Sequence, residues 1–435
     1  MAPNPPTLER QSAHTLVTTV LSVALGLLLS IIAARALGPG GKGVLDLTSA
    51  TAGLFTLVLG LSFNFGLTHL VARDGRTPAG LPGQLALWGA GSGIITALFL
   101  FGQPRIFVRM GLLPAHDLPF WAGFVTVTVI FGVWTASLRG ILIGQHALII
   151  ANRIDVAVKA ALLAGYAILA LALPAEPRWF ALIGVAGALV LPFAIVRALR
   201  GPAVPAHGTW PALFSAALPV HGTNILHFIN QRADVFFLQA FHGTTEVALY
   251  ALAVSLAQFV LLLSSALAQP LLPNVSAAKT AAEAAAVTAR ACRLFVALGL
   301  VAGVILALLA PRLVPLVFGR DFSGSLPALL VLLPGMIAFG LTNIVISYFV
   351  GRGRGQVNLW ISLAALGVTI AGNLWLTRAY GALGAAVTST AAYGLAGGLS
   401  LGFFLRQAGG SVRRLIWPAA ADWRDAFALL ARFRP

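Results

Sequence analysis

LVTTVLSVALGLLLSIIAARALGPGGKGVLDL (16–47) is the stretch on which the fold class turns. From Leu16 to Leu37 it is apolar apart from a few hydroxyls and Arg35, and then it breaks on Gly38-Pro39-Gly40-Gly41-Lys42-Gly43. A helix that crosses a bilayer needs roughly 20 mostly apolar residues. Glycine, proline and charge end such a helix, and they are cheap only where the backbone meets water. The run is longer than the h-region of a cleaved signal peptide, typically about 7–15 residues, and no convincing small-residue cleavage site follows. It reads as an uncleaved anchor.

The same alternation recurs along the chain. Twelve spans are predicted, at about 12–36, 44–71, 83–102, 118–140, 147–173, 179–199, 211–241, 246–272, 289–310, 326–350, 356–377 and 381–405. Breaker-rich connectors separate them, for example Arg73-Asp74-Gly75-Arg76 and Gly351-Arg352-Gly353-Arg354-Gly355. Composition agrees. Of 435 residues 59% are hydrophobic and 9% charged, against about 25% charged in a soluble domain. The mean hydropathy is +0.92. A soluble enzyme, a secreted disulfide scaffold and a disordered chain are excluded. Cys292, the single cysteine, is read as a small buried hydrophobe.

The net charge of +16, from 28 Lys+Arg against 12 Asp+Glu, raises the question of nucleic acid. No connector concentrates more than a few cations, so nucleic acid is not expected as a partner. With the N-terminus inside, eighteen Lys/Arg fall on the cytoplasmic side and eight on the other, while Lys159 and Arg232 lie within spans. This fits the positive-inside rule and places both termini in the cytoplasm. The tail over 408–435 alternates Arg413, Arg414, Trp417, Trp423, Arg424, Phe427, Arg432 and Arg434. It is read as a basic amphipathic segment lying on anionic membrane lipids, with a frayed tail as the plainer alternative.

An internal repeat organises the spans. RALGPGGKGVL (35–45) lies over QAFHGTTEVAL (239–249), GILIGQ (140–145) over GRGRGQ (351–356), and GVAGA (184–188) over GALGA (381–385). All three shifts fall near 200 residues and in the same order. The expected fold is an all-α polytopic membrane protein of about twelve transmembrane helices, in two parallel six-helix bundles around a central cavity. The N-terminal bundle is drawn over 1–200, a linker over 201–210 and the C-terminal bundle over 211–407.

Three groups of segments carry a family likeness: AARALGPGGKGVLDL (33–47), INQRADVFFLQAFHGTTEVALYALA (229–253), and FGRDFSGSLPALLVLLPG (318–335) with NLWLTRAYGALGAAVTST (373–390). Together they resemble the polysaccharide-type branch of the multidrug/oligosaccharidyl-lipid/polysaccharide exporter superfamily, the Wzx-like oligosaccharide flippases. Asp46 stands where an aromatic residue is usual in that family, and Arg378 where proline is frequent. Twelve spans rather than fourteen speak against the lipid II flippase branch. The resemblance implies a cavity that faces inward and outward in turn. Through it an undecaprenyl-diphosphate-linked oligosaccharide would reach the outer leaflet of the bacterial inner membrane, for surface polysaccharide or lipopolysaccharide assembly. Other polysaccharide assembly proteins would be its partners, and no cofactor is implied.

Polar groups inside spans are costly and mark sites by default. On span seven, His221, Asn224, His227, Asn230, Gln231 and Asp234 recur at three- and four-residue steps, a polar stripe on one face. Arg232 lies beside it, off that face. The stripe suits hydroxyl-rich sugars and a diphosphate. Equally, its members could satisfy one another across a helix interface. Arg35, Asn64 and His69 complete the cavity candidates. Asp155 and Lys159, four apart on span five, are coupling candidates that could pair along their helix, with a structural ion pair as the plainer reading. No Gly-x-x-x-x-Gly-Lys-Ser/Thr, His-Glu-x-x-His or paired-cysteine pattern is present, so neither catalytic residues nor a metal site are expected. Two other functions compete: a cation-coupled drug exporter of the same superfamily, and a membrane polysaccharide polymerase or ligase.

Overall fold

The computed structural model describes residues 8–74, 77–172, 174–199, 203–204 and 209–408. The amphipathic tail expected over 408–435 therefore lies almost wholly outside the described residues, as does most of the 201–210 linker. Ten stretches are long and apolar enough to cross a membrane. Glycines break two of them: Gly38 inside Val17–Gly60 and Gly381 inside Gln356–Ala408, with φ of +65° and +57°. Dividing each stretch at its glycine accounts for all twelve expected spans. The chain is an all-α polytopic membrane protein. The outward faces confirm the solvent, since Leu87, Leu98 and Leu171 are 73%, 71% and 90% exposed within apolar helices.

The contacts divide the chain into two units. The first runs to Phe228 and takes in Gly243–Thr245. It contains α1 (Leu8–Gly60), α2 (Phe63–Asp74), α3 (Leu81–Gly102), α4 (Pro104–Arg109), α5 (Leu118–Gly144), α6 (Leu148–Ala172), α7 (Pro177–Ala198) and the first part of α8 (Thr209–His242). Its only described strands are β1 (Thr77–Pro78) and β2 (Ala203–Val204), two residues each and paired in parallel. The division thus falls inside α8, while β2 joins part of the 201–210 segment to the first unit.

α5 is the spine of this unit. Trp121, Val125, Val129 and Val133 recur every four residues and are buried against α1, α3 and α7. Leu138, Ile141 and Leu142 then meet Phe63, Leu67 and Val71 of α2. Close approach is built in at Gly140, where a Cβ would collide with the Asn64 carbonyl. Four hydroxyls in the spans are satisfied within their own helices: Ser92, Thr96, Thr126 and Ser137 each bond the carbonyl four residues back. Five tryptophans, Trp88, Trp121, Trp179, Trp210 and Trp375, lie near predicted span ends, where an interfacial belt is placed, but three of them lie inside the unit. Trp88 Nε1 donates to the Leu59 carbonyl (2.9 Å) and Trp210 Nε1 to Gln84 Oε1 (3.0 Å), while Trp121 is 1% exposed. Trp179 and Trp375 are exposed, as a belt requires.

The second unit holds the rest of α8 from Ile229, then α9 (Thr244–Ala257) from Glu246 onward, α10 (Phe259–Ala277), α11 (Ala281–Val317), α12 (Ser325–Gly351), α13 (Gln356–Gly372) and α14 (Arg378–Ala408). A π turn at Asn373–Thr377 joins α13 to α14. α11 starts on a capping box: Thr280 Oγ1 accepts from the Glu283 amide (3.1 Å), and Glu283 Oε2 accepts from the Lys279 amide (3.0 Å). α12 and α14 lock through stacked Phe339 and Tyr393, edge-on Tyr348 and Phe404, and Gly335 set against Thr390.

The repeat reads through locally. Gly38 and Gly243, one position apart in the alignment, both have positive φ and both open a new helix. The following span is interrupted in each case, at Leu61-Ser62 in one and at Gln258 in the other.

Candidate functional site

Asp234 is the most buried charged side chain among the described residues, at 1% exposure. A lone carboxylate out of water is costly unless donors surround it. Here they do: Asn373 Nδ2 and Ser389 Oγ each donate at 2.7 Å, and Tyr250 Oη donates as well. The donors are themselves held. Tyr250 Oη and Ser389 Oγ lie 2.9 Å apart. Thr377 Oγ1 donates to Asn373 Oδ1 (2.7 Å), and Asn373 Nδ2 also reaches the Thr369 carbonyl (2.8 Å). One turn before Asp234, Asn230 donates to the Ser362 carbonyl (3.0 Å) and accepts from Thr369 Oγ1 (3.3 Å).

No cation pairs with Asp234 among the described residues, and neutral donors alone surround its carboxyl group. The π turn at Asn373–Thr377 supplies two of the network's members, as such local openings of a helix often do at working sites.

The first unit treats the polar residues of α8 differently. Ser62 Oγ accepts from Asn224 Nδ2 (3.0 Å) and lies 3.1 Å from His221 Nδ1. A hydroxyl carries one proton, so Ser62 is satisfied when it donates that proton to His221. Leu61 and Ser62 have φ of +48° and +55°. Two consecutive non-glycine residues in the left-handed region are strained, and the strain falls at the α1–α2 break.

Elsewhere in the unit Arg139 donates to Asp155, while Lys159 Nζ donates to Ser22 Oγ (2.6 Å) and the Ser22 carbonyl (3.3 Å). The pairing expected between Asp155 and Lys159 is therefore not made. Arg139 on α5 takes the carboxylate, and the longer lysine reaches across to α1. A further pair, Lys42–Asp46 at 2.6 Å, follows the Gly38 break, with Lys42 buried.

The span-seven stripe is thus shared out. His221 and Asn224 serve the first unit, Asn230 and Asp234 the second. His227 and Arg232 are exposed and Gln231 is half-buried. Arg35 and His69 are exposed, and Asn64 accepts from Thr68 through its carbonyl. The sequence reading missed Ser62, Tyr250, Thr369, Thr377 and Ser389. Hydroxyls are common in spans, and only the partner reveals which ones matter. No group of three or more His, Cys, Asp or Glu that could hold a metal occurs among the described residues.

A family model, described as "Lipid II flippase MurJ", matches residues 178–430. No curated protein matches the sequence significantly. Among solved structures, a lipid II flippase MurJ in an inward closed conformation is 12% identical, with a TM-score of 0.74 over 97% of this chain and 93% of that one. An inward-facing multidrug resistance MATE family transporter of the MOP superfamily is 15% identical, with a TM-score of 0.69 over 97% and 100%. The Vibrio cholerae MATE transporter VcmN, as a point mutant, is 14% identical, with a TM-score of 0.63 over 94% and 97%. At these identities the structural likeness speaks for the fold. The matched family model is that of the branch the span count set aside, and it corrects that inference: twelve spans do not separate this chain from lipid II flippases.

Proposed function

The chain belongs to the lipid II flippase MurJ family, and on that premise we propose that it carries a polyprenyl-diphosphate-linked saccharide across a bacterial cytoplasmic membrane by alternating access. It is a multi-pass membrane transporter and not a polymerase or ligase. In our reading the cargo is an undecaprenyl-diphosphate-linked oligosaccharide for surface polysaccharide or lipopolysaccharide assembly, as the resemblance to Wzx-like flippases implies. A second reading, a lipid II-type cargo for peptidoglycan, is favoured by the family match itself. We take both termini as cytoplasmic and the two halves, about 1–200 and 211–407, as the moving bundles.

The observation that carries a transport role is Asp234, a membrane-buried carboxylate held only by neutral donors. Such a group changes charge only when its surroundings rearrange, which makes it a coupling element. Arg139, Asp155 and Lys159 form a second, partly exposed set. His227 and Arg232, exposed on α8, are assigned to cargo contact together with Arg35, Asn64, His69 and Gln231.

Depletion of the protein tests the function. Lipid-linked saccharide is expected to accumulate on the inner leaflet, and its glycan identifies the cargo. Undiminished surface glycan, with no accumulated precursor of either kind, overturns the reading. His227→Ala is expected to lower flux at normal membrane levels, and Asp234→Ala to lower flux per molecule present in the membrane. If both transport like wild type, the assignment on α8 fails.

A further inference from the structure

Within the first unit a cavity of about 570 Å³ opens between α2 and the start of α8. That volume lies within the usual span of small-molecule sites, roughly 300–1,000 Å³. Its wall is two-sided. Phe65, Leu70, Ala212, Ala216 and Val220 are apolar, while His69 and Arg73, one turn apart on α2, bring ring nitrogens and a guanidinium to one side. The remaining lining residue, Ser215, bonds its own helix at the Ala212 carbonyl. No carboxylate lines the cavity.

The floor is fixed rather than collapsible. Leu67 and Val71 on the next face of α2 are buried against Leu213 and Ala217 of α8, and Gly66 lets the two helices touch. The cavity is therefore a consequence of two helices that meet on one face and diverge on the other.

We propose that this cavity binds the phosphate head of a membrane lipid. The chemistry fits in three respects. Arg73 and His69 offer charge-assisted donors to phosphate oxygens. The aliphatic floor accepts the first carbons of a hydrocarbon chain. The volume admits a head group but not a whole saccharide-lipid, so the remaining chain runs along the exposed apolar faces of the unit. Two sources share this chemistry: a bulk anionic phospholipid, and the polyprenyl diphosphate of the cargo. The second rests on the proposed function, and the first does not.

Native mass spectrometry of the full-length protein, titrated separately with phosphatidylglycerol, undecaprenyl diphosphate and phosphatidylcholine, tests the site. Wild type is expected to retain at least one of the two anionic lipids more tightly than phosphatidylcholine. His69→Ala/Arg73→Ala is expected to weaken that binding by at least about fivefold, the share of the one arginine charge. Val220→Trp, which fills the cavity from its apolar wall and keeps both His69 and Arg73, is expected to abolish it, and Lys279→Ala is the neutral control. A thermal melt confirms that each variant is folded. Retention of both anionic lipids assigns a bulk-lipid site, and retention of undecaprenyl diphosphate alone assigns a cargo site. Unchanged binding in both cavity variants overturns the proposal. So does a wild type that prefers neither anionic lipid. Because the readout is binding, a chain that flips no saccharide but loses phosphatidylglycerol on Val220→Trp keeps the site and loses only the functional reading.

Discussion

One helix, α8, feeds polar side chains into two places that solve different problems. At the Ser62 break in the first unit a hydroxyl, an amide and an imidazole meet around a strained turn. At Asp234 in the second unit a carboxyl group sits at 1% exposure and three neutral donors converge on it. The first arrangement holds a backbone shape, and the second holds an ionisable group. A neutral hydrogen bond is worth about 0.5–1.5 kcal/mol net, and one to a charged group about 1.5–3. The Asp234 network is therefore the one whose loss the protein should feel most, and the Ser62 network the one that can be rearranged at small cost. That asymmetry is a prediction about energies, and substitution can break it.

The largest effect is expected at Asp234. Asp234→Ala leaves Tyr250 Oη, Ser389 Oγ and Asn373 Nδ2 without their shared acceptor, a cost on the order of 3 kcal/mol. Thermal unfolding of the purified protein measures it, together with loss of transport in a depleted strain. Asp234→Asn keeps one acceptor oxygen and should fall between alanine and wild type. Equal stability of all three proteins would erase the contrast between the two regions. Next in size is Tyr250→Phe, which removes one donor to the carboxylate and keeps the ring. It is expected to cost about 2 kcal/mol. A loss no greater than that of Asn224→Ala, about 1 kcal/mol in the neutral network, would mean that the carboxylate is not charged in the folded protein.

The fold was more legible than the site, for a physical reason. Spans announce themselves through length and apolarity, and the ten long apolar stretches, two of them divided by a glycine, supply all twelve because a bilayer imposes a minimum length on every span. The strain at Leu61-Ser62 left no such mark: neither residue favours positive φ, and the stretch at 44–71 reads as one uninterrupted span. The stripe on α8 was visible as a pattern of types and spacing, yet its division was not. Which donor faces which acceptor depends on helices more than a hundred residues away, as with Asp234 and Asn373 or Ser389. Asp155 and Lys159 teach the same lesson. Spacing alone allowed a pair along the helix, but Arg139 and Ser22 stand closer in space.

The smallest effect is the most discriminating, because at Ser62 two terms oppose. Ser62→Ala removes the hydroxyl that Asn224 and His221 share and keeps the left-handed strain, for a loss of about 1 kcal/mol. Ser62→Gly removes the same hydroxyl but releases the strain, worth roughly 1–2 kcal/mol at a single residue. Glycine should therefore be the more stable of the two by about 1 kcal/mol and close to wild type, the reverse of their order inside a regular helix, where glycine is worse than alanine by about 1 kcal/mol. The sign of the difference, read from paired melts, decides whether the break is a strained turn held by α8 or an ordinary helical position. If alanine is the more stable, the backbone at 61–62 carries no strain. His221 and Asn224 would then fasten nothing, and the contrast with Asp234 would reduce to one site and a bystander.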